Sequence, residues 1–391
     1  MINLAKFVAA TPFTMINNIK FKNYKLFKDE QELELRPITI VIGKNNSGKS
    51  AIGKLLTMLS GSFSGSFSAP LQLETGSVRV GNSYEDIFYN REITVAPIEL
   101  TISSESEKLQ VSITGDRTYN IKISKYSLND NNVDIAKNKF NGFLTNAVEI
   151  KTLKLDFDYI ESFRKFPTPT FSDIFGEYSK IGLSGENAYK LLAQYHENHD
   201  DTLDLISKWF SENFEGWRLS VKDVSGTSKS YEVVLENDFI KPINIVNTGS
   251  GIRQSLPLVV RSFMPVEDEI RIITEEPETH LHPAAHGNLA ERFVQSYLDD
   301  NKRKYFIETH SENFILRIQR MIAEKKILNT DVSIYYVDYK EKSGYSSLTR
   351  IQIDADGEVD MWPDNIFNED LDEVLKFRKA QKENQDAGQN S

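Results

Sequence analysis

Cysteine is absent from this chain of 391 residues. Without thiols the protein forms no disulfide, no thiolate zinc site and no iron–sulfur cluster, and it has no cysteine nucleophile. Its length makes such cross-links unnecessary, because a chain of this size buries about three quarters of its unfolded surface. We therefore expect a cytoplasmic protein from a reducing compartment, with about two or three domains or one large fold carrying an inserted lobe.

Long apolar runs and an excess of positive charge are also missing. The longest apolar stretches, such as residues 256–260, fall far short of the about 20 residues that a membrane-spanning helix needs, so no membrane partner is expected. Lysine and arginine total 46 against 57 acidic residues, which gives a formal net charge of -11. This balance argues against coating nucleic acid through bulk charge, although a local basic groove could still bind it.

The two ends of the chain are predicted to lie outside the folded head. Residues 1–14 are mildly apolar but interrupted by Lys6, and a second methionine follows at Met15. We interpret residues 1–15 as an N-terminal extension and not as a signal peptide. Residues 379–391 are polar, which predicts a flexible tail.

A complete phosphate-binding pattern, G-x-x-x-x-G-K-[ST], occupies residues 43–50. A continuous β-branched run at 38–42 predicts a buried strand before it, and apolar residues at one-face spacing predict a helix after it. Glycines let the backbone wrap around an anion, Lys49 can reach the β- and γ-phosphates, and the Ser50 hydroxyl can ligate Mg²⁺. The predicted nucleotide contacts of this loop are Gly43, Lys44, Asn45, Asn46, Ser47, Gly48, Lys49, Ser50 and Ala51.

A second predicted strand, residues 270–274, ends in two carboxylates, Glu275 and Glu276. A phosphate cradle alone fits a GTPase, a kinase or an ATPase, so this acidic pair is needed to choose among these classes of enzyme. Ligands of α/β sheets lie at the carboxyl ends of the strands. There one carboxylate can hold Mg²⁺, directly or through water, and the next can orient and deprotonate an attacking water.

The remaining segments predict how the chain is organised. Short alternating runs over residues 71–126 predict an antiparallel β-lobe, residues 148–159 a further strand, and residues 186–214 a helical region. The low-complexity stretch SGSFSGSFSA at 60–69 predicts a mobile loop. No heptads are sustained over residues 51–245, so a long coiled coil is not expected.

Four ordered motifs make the chain resemble the ABC-type ATPases of the RecF/SMC/OLD group, single-head AAA-like ATPases common in prokaryotic antiphage systems. The motifs are IVIGKNNSGKS, NTGSGIRQSLPLVV, IRIITEEPETHLHP and FIETHSENFILRIQR. The resemblance implies an α/β P-loop NTPase, an ABC-ATPase head with a mixed sheet, an antiparallel β-lobe and an inserted helical region. The head would span residues 16–378, with a P-loop half (16–70), a β-lobe and helical insert (71–245), and a second half (246–378).

By this resemblance Ser250, Gly251 and Gln254 would belong to the signature motif, which meets the nucleotide bound to the other protomer. The turn is not the usual LSGGQ, and the alternative interpretation is a plain loop before an amphipathic helix. His310 would be the switch histidine that senses the γ-phosphate, and the alternative is a capping or core histidine.

The predicted catalytic residues are therefore Lys49, Glu276 and His310, and the predicted metal ligands are Ser50 and Glu275, with ATP and Mg²⁺ as the ligands. Two features depart from the family pattern. Glu275 stands where aspartate is usual, and its longer side chain favours slow turnover. No Q-loop glutamine is evident after the P-loop helix.

Competing metal sites are less well supported by the sequence. His280 and His282 could suggest zinc, but the family places THLHP in a D-loop at the dimer seam. Asp354 and Asp356 resemble a Toprim nuclease pair, but only about 80 residues follow THSE, so a turn is favoured. We expect no nuclease activity from the chain itself.

The function predicted from these features is an ATP-hydrolysing switch. ATP would join two heads into a homodimer and hydrolysis would release them, controlling an effector protein such as a nuclease or toxin from the same operon, and with nucleic acid as a further candidate partner. The alternative is a RecF-like repair ATPase that binds DNA directly. A transporter subunit is disfavoured by the atypical signature and the bulky insert.

Overall fold

The computed structural model describes residues 15–172, 174–224, 229–363, 367, 376–379 and 381. The predicted N-terminal extension, apart from Met15, and most of the predicted C-terminal tail lie outside these residues. The strands are β1 (Asn18–Lys22), β2 (Gln31–Glu34), β3 (Ile38–Gly43), β4 (Glu74–Thr75), β5 (Val78–Arg79), β6 (Ile98–Ser103), β7 (Lys108–Gly115), β8 (Ile121–Leu128), β9 (Asn131–Asn132), β10 (Phe140–Asn141), β11 (Leu144–Thr145), β12 (Phe157–Ile160), β13 (Arg218–Asp223), β14 (Tyr231–Glu236), β15 (Ile243–Asn244), β16 (Ile270–Glu275), β17 (Arg303–Glu308), β18 (Val332–Lys340) and β19 (Tyr345–Ile351). The helices are α1 (Lys49–Phe63), α2 (Ala188–Glu197), α3 (Thr202–Asn213), α4 (Ser250–Phe263), α5 (Pro283–Asp299) and α6 (Glu312–Ala323).

The central sheet has the strand order β12-β16-β17-β3-β18-β19. Its strands pair in parallel except for the antiparallel pair of β18 and β19. All six residues of β3 are buried, as expected for a parallel strand covered on both faces. This sheet confirms the predicted mixed α/β fold, and it brings the carboxyl ends of β3, β16 and β17 to one edge.

Helices and the second sheet cover the two faces of the central sheet. Ile38, Ile40 and Ile42 pack in a core with side chains of α4, α5 and α6. Val41, on the other face, packs with α1 and the antiparallel lobe. None of the described helices combines the length and apolarity needed to cross a membrane.

The second sheet is antiparallel, with the order β2-β1-β6-β7-β8-β9. Buried and half-buried residues alternate along β6, which confirms the predicted antiparallel β-lobe. The N-terminal hairpin of β1 and β2 joins this sheet through β1 and β6. Residues 16–70 therefore contribute strands to both sheets, although the sequence analysis placed them in a separate half.

Three segments differ from the sequence-based expectations. The predicted loop at 60–69 is wrong for residues 60–63, because α1 continues to Phe63 and the amide of Phe143 donates to the carbonyl of Ser62 at 2.8 Å. The predicted strand at 148–159 is reduced to β12. The predicted helical region is split into α2 and α3, and it is followed by an unpredicted sheet of β13, β14 and β15.

A buried ion pair connects the edge of the central sheet to α4. Arg261 Nε lies 2.6 Å from Asp158 Oδ2, and the two side chains are 1% and 2% exposed. Asp158 Oδ2 also accepts a hydrogen bond from the amide of Ile181 at 2.8 Å. Removal of either partner would leave the other charge buried without compensation.

We predict that Asp158→Ala lowers the free energy of unfolding by about 3–5 kcal/mol. The matched control is Asp156→Ala, because Asp156 pairs with Lys180 at the surface, where the side chains are 55% and 42% exposed. The control should change stability by no more than about 1 kcal/mol. Urea unfolding followed by circular dichroism measures both, and equal losses in the two variants would contradict the prediction.

Candidate functional site

The loop between β3 and α1 has the shape of an anion cradle. Gly43 has φ +152°, and a Cβ there would lie 2.4 Å from the carbonyl oxygen of Val337, so only glycine fits. Gly48 has φ +107°, a conformation that side chains with a Cβ rarely adopt. The buried Lys49 closes the loop, because its Nζ donates to the carbonyl oxygen of Lys44 at 2.9 Å. Burial lowers the pKa of Lys49, and the nearby Glu308 opposes that shift.

A cavity of about 700 Å³ opens above this loop. Its lining residues are Leu26, Asn45, Asn46, Gly48, Lys49, Ser50, Ala51, Glu276, Glu308 and Tyr339. The structure thus brings most of the predicted cradle residues together with Glu276. Of the other predicted cradle residues, Gly43 ends β3, and Ser47 is 1% exposed and supports the loop, its carbonyl oxygen accepting from Ser346 Oγ at 2.6 Å. Leu26 and Tyr339 add an apolar edge to an otherwise polar cavity.

The two predicted carboxylates, Glu275 and Glu276, have different surroundings. Glu275 Oε1 accepts a hydrogen bond from the hydroxyl of the buried Tyr159. Burial, reinforced by Glu275, raises the pKa of Tyr159 well above its usual value, so Tyr159 stays a donor. Glu276 has φ +42°, and its Oε2 accepts from Thr279 Oγ1 at 3.2 Å. Glu276 lines the cavity, whereas Glu275 is engaged with Tyr159.

A third carboxylate, Glu308, was not singled out by the sequence analysis. It ends β17, and its Oε1 accepts a hydrogen bond from Ser50 Oγ at 3.0 Å and lies 3.8 Å from Lys49 Nζ. Burial and the neighbouring Glu275 raise the pKa of Glu308 to about 7. The sequence contains a hint of this residue, since a glutamate directly before THSE stands at the carboxyl end of a predicted strand.

His310 lies beside Glu276, with 3.8 Å between His310 Nε2 and Glu276 Oε1. Burial and the nearby Lys49 lower the pKa of His310, so its ring is neutral at neutral pH. The backbone amide of His310 donates to Glu278 Oε1 at 2.7 Å. Ser311 caps α6 by accepting from the amide of Phe314, so His310 itself is not the cap.

The predicted signature residues begin α4, outside this cavity. Ser250 is the first residue of the helix, and a Cβ on Gly251 would lie 2.8 Å from the carbonyl oxygen of His280. The described residues that line the cavity include none of the signature.

Gln254 is placed behind that turn. It is 2% exposed, its Nε2 donates to the carbonyl oxygen of Arg164 at 2.9 Å, and its Oε1 accepts from the amide of Arg164 at 3.2 Å. Direct contact between Gln254 and a nucleotide stays a prediction. In the structure, the side chain of Gln254 is instead hydrogen-bonded to the backbone of Arg164.

Gln254 positions Arg164, a residue for which the sequence pattern predicted no role. Arg164 is buried, and its guanidinium donates to the carbonyl oxygens of Glu275 at 2.9 Å and Glu276 at 3.0 Å. Burial lowers the pKa of Arg164 to about 10, which leaves it charged at neutral pH. Arg164 thus connects the start of α4 to the acidic turn.

Of the side chains considered for other metal sites, His282 and Asp354 make hydrogen bonds within the protein. His282 Nδ1 accepts from the amide of Ala284 at the start of α5. Asp354 Oδ1 accepts from the amides of Asp356 and Glu358, both at 2.9 Å, which confirms the predicted turn. Among the described residues, no group of three or more histidine or acidic side chains is placed to hold a metal ion.

Comparisons with known proteins agree with this architecture. A family model described as AAA ATPase domain matches residues 15–241 and 160–315, which together cover well over half of the chain. A second model, described as a protein of unknown function (DUF3696), matches residues 327–377. No curated protein matches the chain.

Among solved structures, the chain is similar to Smc heads. One is an Smc head bound to the C-winged helix domain of ScpA, with 14% identity, TM-score 0.50, and coverage of 86% of this chain and 98% of that chain. Another is an Smc head domain with an extended coiled coil bound to the C-terminal domain of ScpA, derived from Pyrococcus furiosus. Its identity is 11%, its TM-score 0.50, and the match covers 94% of this chain and 100% of that chain. At these identities the likeness shows the fold, an Smc-head-like P-loop ATPase fold.

Proposed function

Because the chain belongs to the AAA ATPase domain family, we propose that it binds ATP with Mg²⁺, hydrolyses it, and pairs with a second copy while ATP is bound. The observation that carries this proposal is the cavity above the P-loop. It places Lys49, Ser50 and Glu276 around one space of about 700 Å³. A cation and a hydroxyl at the start of a helix, with a carboxylate lining the same space, are the groups that phosphate binding and phosphoryl transfer to water require.

In this proposal the triphosphate lies in the cradle of residues 43–51. Its backbone amides and the start of α1 face the phosphates, and Lys49 exchanges its bond to the Lys44 carbonyl for the β- and γ-phosphate oxygens. Leu26 and Tyr339, at the apolar edge of the cavity, provide a surface for the base. The donor set fits Mg²⁺, since a hydroxyl and carboxylates of the strand ends are hard oxygen ligands, and the bound ion would neutralise phosphate charge.

Glu276 is the proposed general base. Its carboxylate lines the cavity and takes the proton of the attacking water. His310, neutral and 3.8 Å from Glu276, is placed to donate a hydrogen bond to the γ-phosphate and so to report its presence. Arg164 donates to the backbone carbonyls of Glu275 and Glu276 and is itself bonded to Gln254 of α4. A shift of α4 would therefore move the backbone that carries the base.

The position of Ser250 and Gly251 supports the proposed pairing of two heads. These residues start a helix whose amides suit an anion, but they lie outside the cavity of their own chain. We propose that they bind the nucleotide held by the second copy. The resemblance to single-head ATPases of antiphage systems, and the acidic charge of the chain, favour a cytoplasmic switch that controls an effector protein.

Ser250→Arg tests the pairing. We expect the variant to bind ATP as a monomer with unchanged affinity, to fail to dimerise, and to lose at least about tenfold in ATPase rate, because a long cation would occupy the place of the partner's nucleotide. Calorimetry, light scattering and the ATPase rate as a function of protein concentration give the readouts. Ser124→Arg, on the exposed surface of β8, is the control and should behave as wild type. A Ser250→Arg protein with the wild-type rate and the wild-type concentration dependence would refute the composite site.

A further inference from the structure

We propose that an exposed aromatic patch, formed by Phe163 and Phe166 with Lys165 between them in the chain, packs against the second copy when two heads pair. This inference rests on the proposed pairing and adds the surface that makes the contact. The residues already proposed for the pairing, Ser250 and Gly251, are small and polar. They suit an anion but bury little apolar area between two proteins, so an apolar contact elsewhere would strengthen the dimer.

The two aromatic rings lie side by side on the surface of the segment that follows β12. Phe163 is 67% exposed and Phe166 is 49% exposed. Their ring centroids are 6.2 Å apart and their planes are 88° apart, so the rings make an edge-to-face contact and form one apolar surface. A single exposed phenylalanine is ordinary, whereas grouped aromatic rings are typical of surfaces that bind another protein.

Hydrogen bonds fix the backbone beneath the rings. The amide of Lys165 donates to the carbonyl oxygen of Ser184 at 2.9 Å. Between the two rings the side chain of Arg164 is buried, and both its amide and its carbonyl oxygen bond to the side chain of Gln254. The rings are thus exposed on an ordered backbone. Such an arrangement suits binding, because little conformational freedom is lost when a partner covers it.

The patch lies at the end of the molecule that carries the nucleotide cavity and the signature turn. Strand β12 pairs in parallel with β16, so the segment after Ile160 starts at the carboxyl edge of the central sheet. The guanidinium carbon of Arg253 lies 4.9 Å from the ring centroid of Phe166, a cation–π contact. Arg253 is in the first turn of α4, which begins at Ser250. The patch is therefore continuous with the surface already proposed to meet the second copy.

Charge also favours a second copy as the occupant of the patch. Two cationic side chains accompany the rings, Lys165, which is exposed, and Arg253, which is half-buried. The chain as a whole has a formal net charge of -11, and a bound nucleotide adds the negative charge of its phosphates to the face that holds it. A patch with aromatic and cationic side chains complements such an acidic face.

Phe163→Ala tests the contact in the full chain. We expect the dissociation constant of the dimer formed with a non-hydrolysable ATP analogue to rise at least about tenfold, as is usual when an aromatic anchor of an interface is truncated. Light scattering over a range of protein concentrations measures this constant. Calorimetry at concentrations too low for pairing should give the wild-type affinity for the analogue, because the ring does not line the cavity.

Leu328→Ala is the matched control. Leu328 is 61% exposed and precedes β18, which pairs in parallel with β3, so it lies at the opposite edge of the sheet. Truncation of this exposed apolar side chain should leave the dissociation constant of the dimer within about twofold of wild type.

Thiol labelling measures burial of the patch independently, because the chain has no cysteine of its own. Lys165→Cys places a single thiol between the two phenylalanines and keeps both of them. At protein concentrations where the dimer predominates, we expect the analogue to slow maleimide labelling at least about tenfold, and the protection to fall on dilution. Ser124→Cys, exposed on β8, is the control and should be labelled at the same rate with and without the analogue.

The outcomes distinguish this inference from the proposed pairing. A wild-type chain that stays monomeric with the analogue would overturn the pairing itself. If the wild-type chain pairs, but Phe163→Ala pairs equally well and Lys165→Cys is labelled at an unchanged rate, the aromatic patch does not meet the second copy and is open to a different partner. Protection that does not change with protein concentration would indicate a rearrangement within one chain and would also overturn the inference. The labelling result does not depend on the folding of Phe163→Ala, which a thermal melt checks.

Discussion

Lys49→Ala is expected to abolish ATP binding at micromolar concentrations of nucleotide. The ammonium group of Lys49 is the buried cation of the cradle, and its side chain is 4% exposed. Removal of one member of a buried charge pair costs about 2–5 kcal/mol, or roughly 30-fold to several thousand-fold in Kd. The loss should fall on binding itself, because the phosphates would lose the buried cation of the loop.

Calorimetric titration with ATP measures this effect. The control is Lys28→Ala, which removes one exposed positive charge outside the cradle and should leave the affinity within about twofold. A thermal melt of Lys49→Ala is needed beside the titration, since the variant also leaves Glu308 without its nearest cation. A folded Lys49→Ala protein with wild-type ATP affinity would show that the cavity above β3 is not the nucleotide site.

Glu276→Gln should bind ATP but hydrolyse it about 10²- to 10⁴-fold more slowly, the range lost with a general base. The amide keeps the shape of the side chain and its contact distance to His310, but it cannot take a proton from water. Because hydrolysis is the proposed route by which two heads separate, dimers should accumulate with ATP. The turnover rate and the light-scattering mass with and without ATP are the two measurements.

Glu312→Gln is the matched control for this variant. Glu312 lies two residues beyond His310 in the first turn of α6, where it is exposed, and the same change there should keep the rate within about twofold. A Glu276→Gln protein that hydrolyses ATP at the wild-type rate would exclude Glu276 as the base. A variant that loses hydrolysis yet is no larger with ATP than without it would count against the pairing of heads.

The elements predicted most accurately are those with a strong local pattern. The run at 38–42, the helix from Lys49 and the strand at 270–274 agree with β3, α1 and β16 to within a few residues, because side-chain periodicity and turn residues act over short distances. The segment following α3 was missed. Its short strands β13 and β14 are stabilised by pairing with each other and by a shared core, which no local pattern reveals.

The candidate site shows the same division between local and distant information. The sequence alone was sufficient for the phosphate cradle, because its glycines, Lys49 and Ser50 are consecutive in the chain and act through local backbone geometry. It was also sufficient to propose Glu276 as the general base, since this residue directly follows a strand. Which carboxylate contacts Ser50 depends instead on the tertiary structure. Glu308 and Ser50 are 258 residues apart, and they meet because burial of apolar strands on both faces of the sheet inserts β17 between β3 and β16.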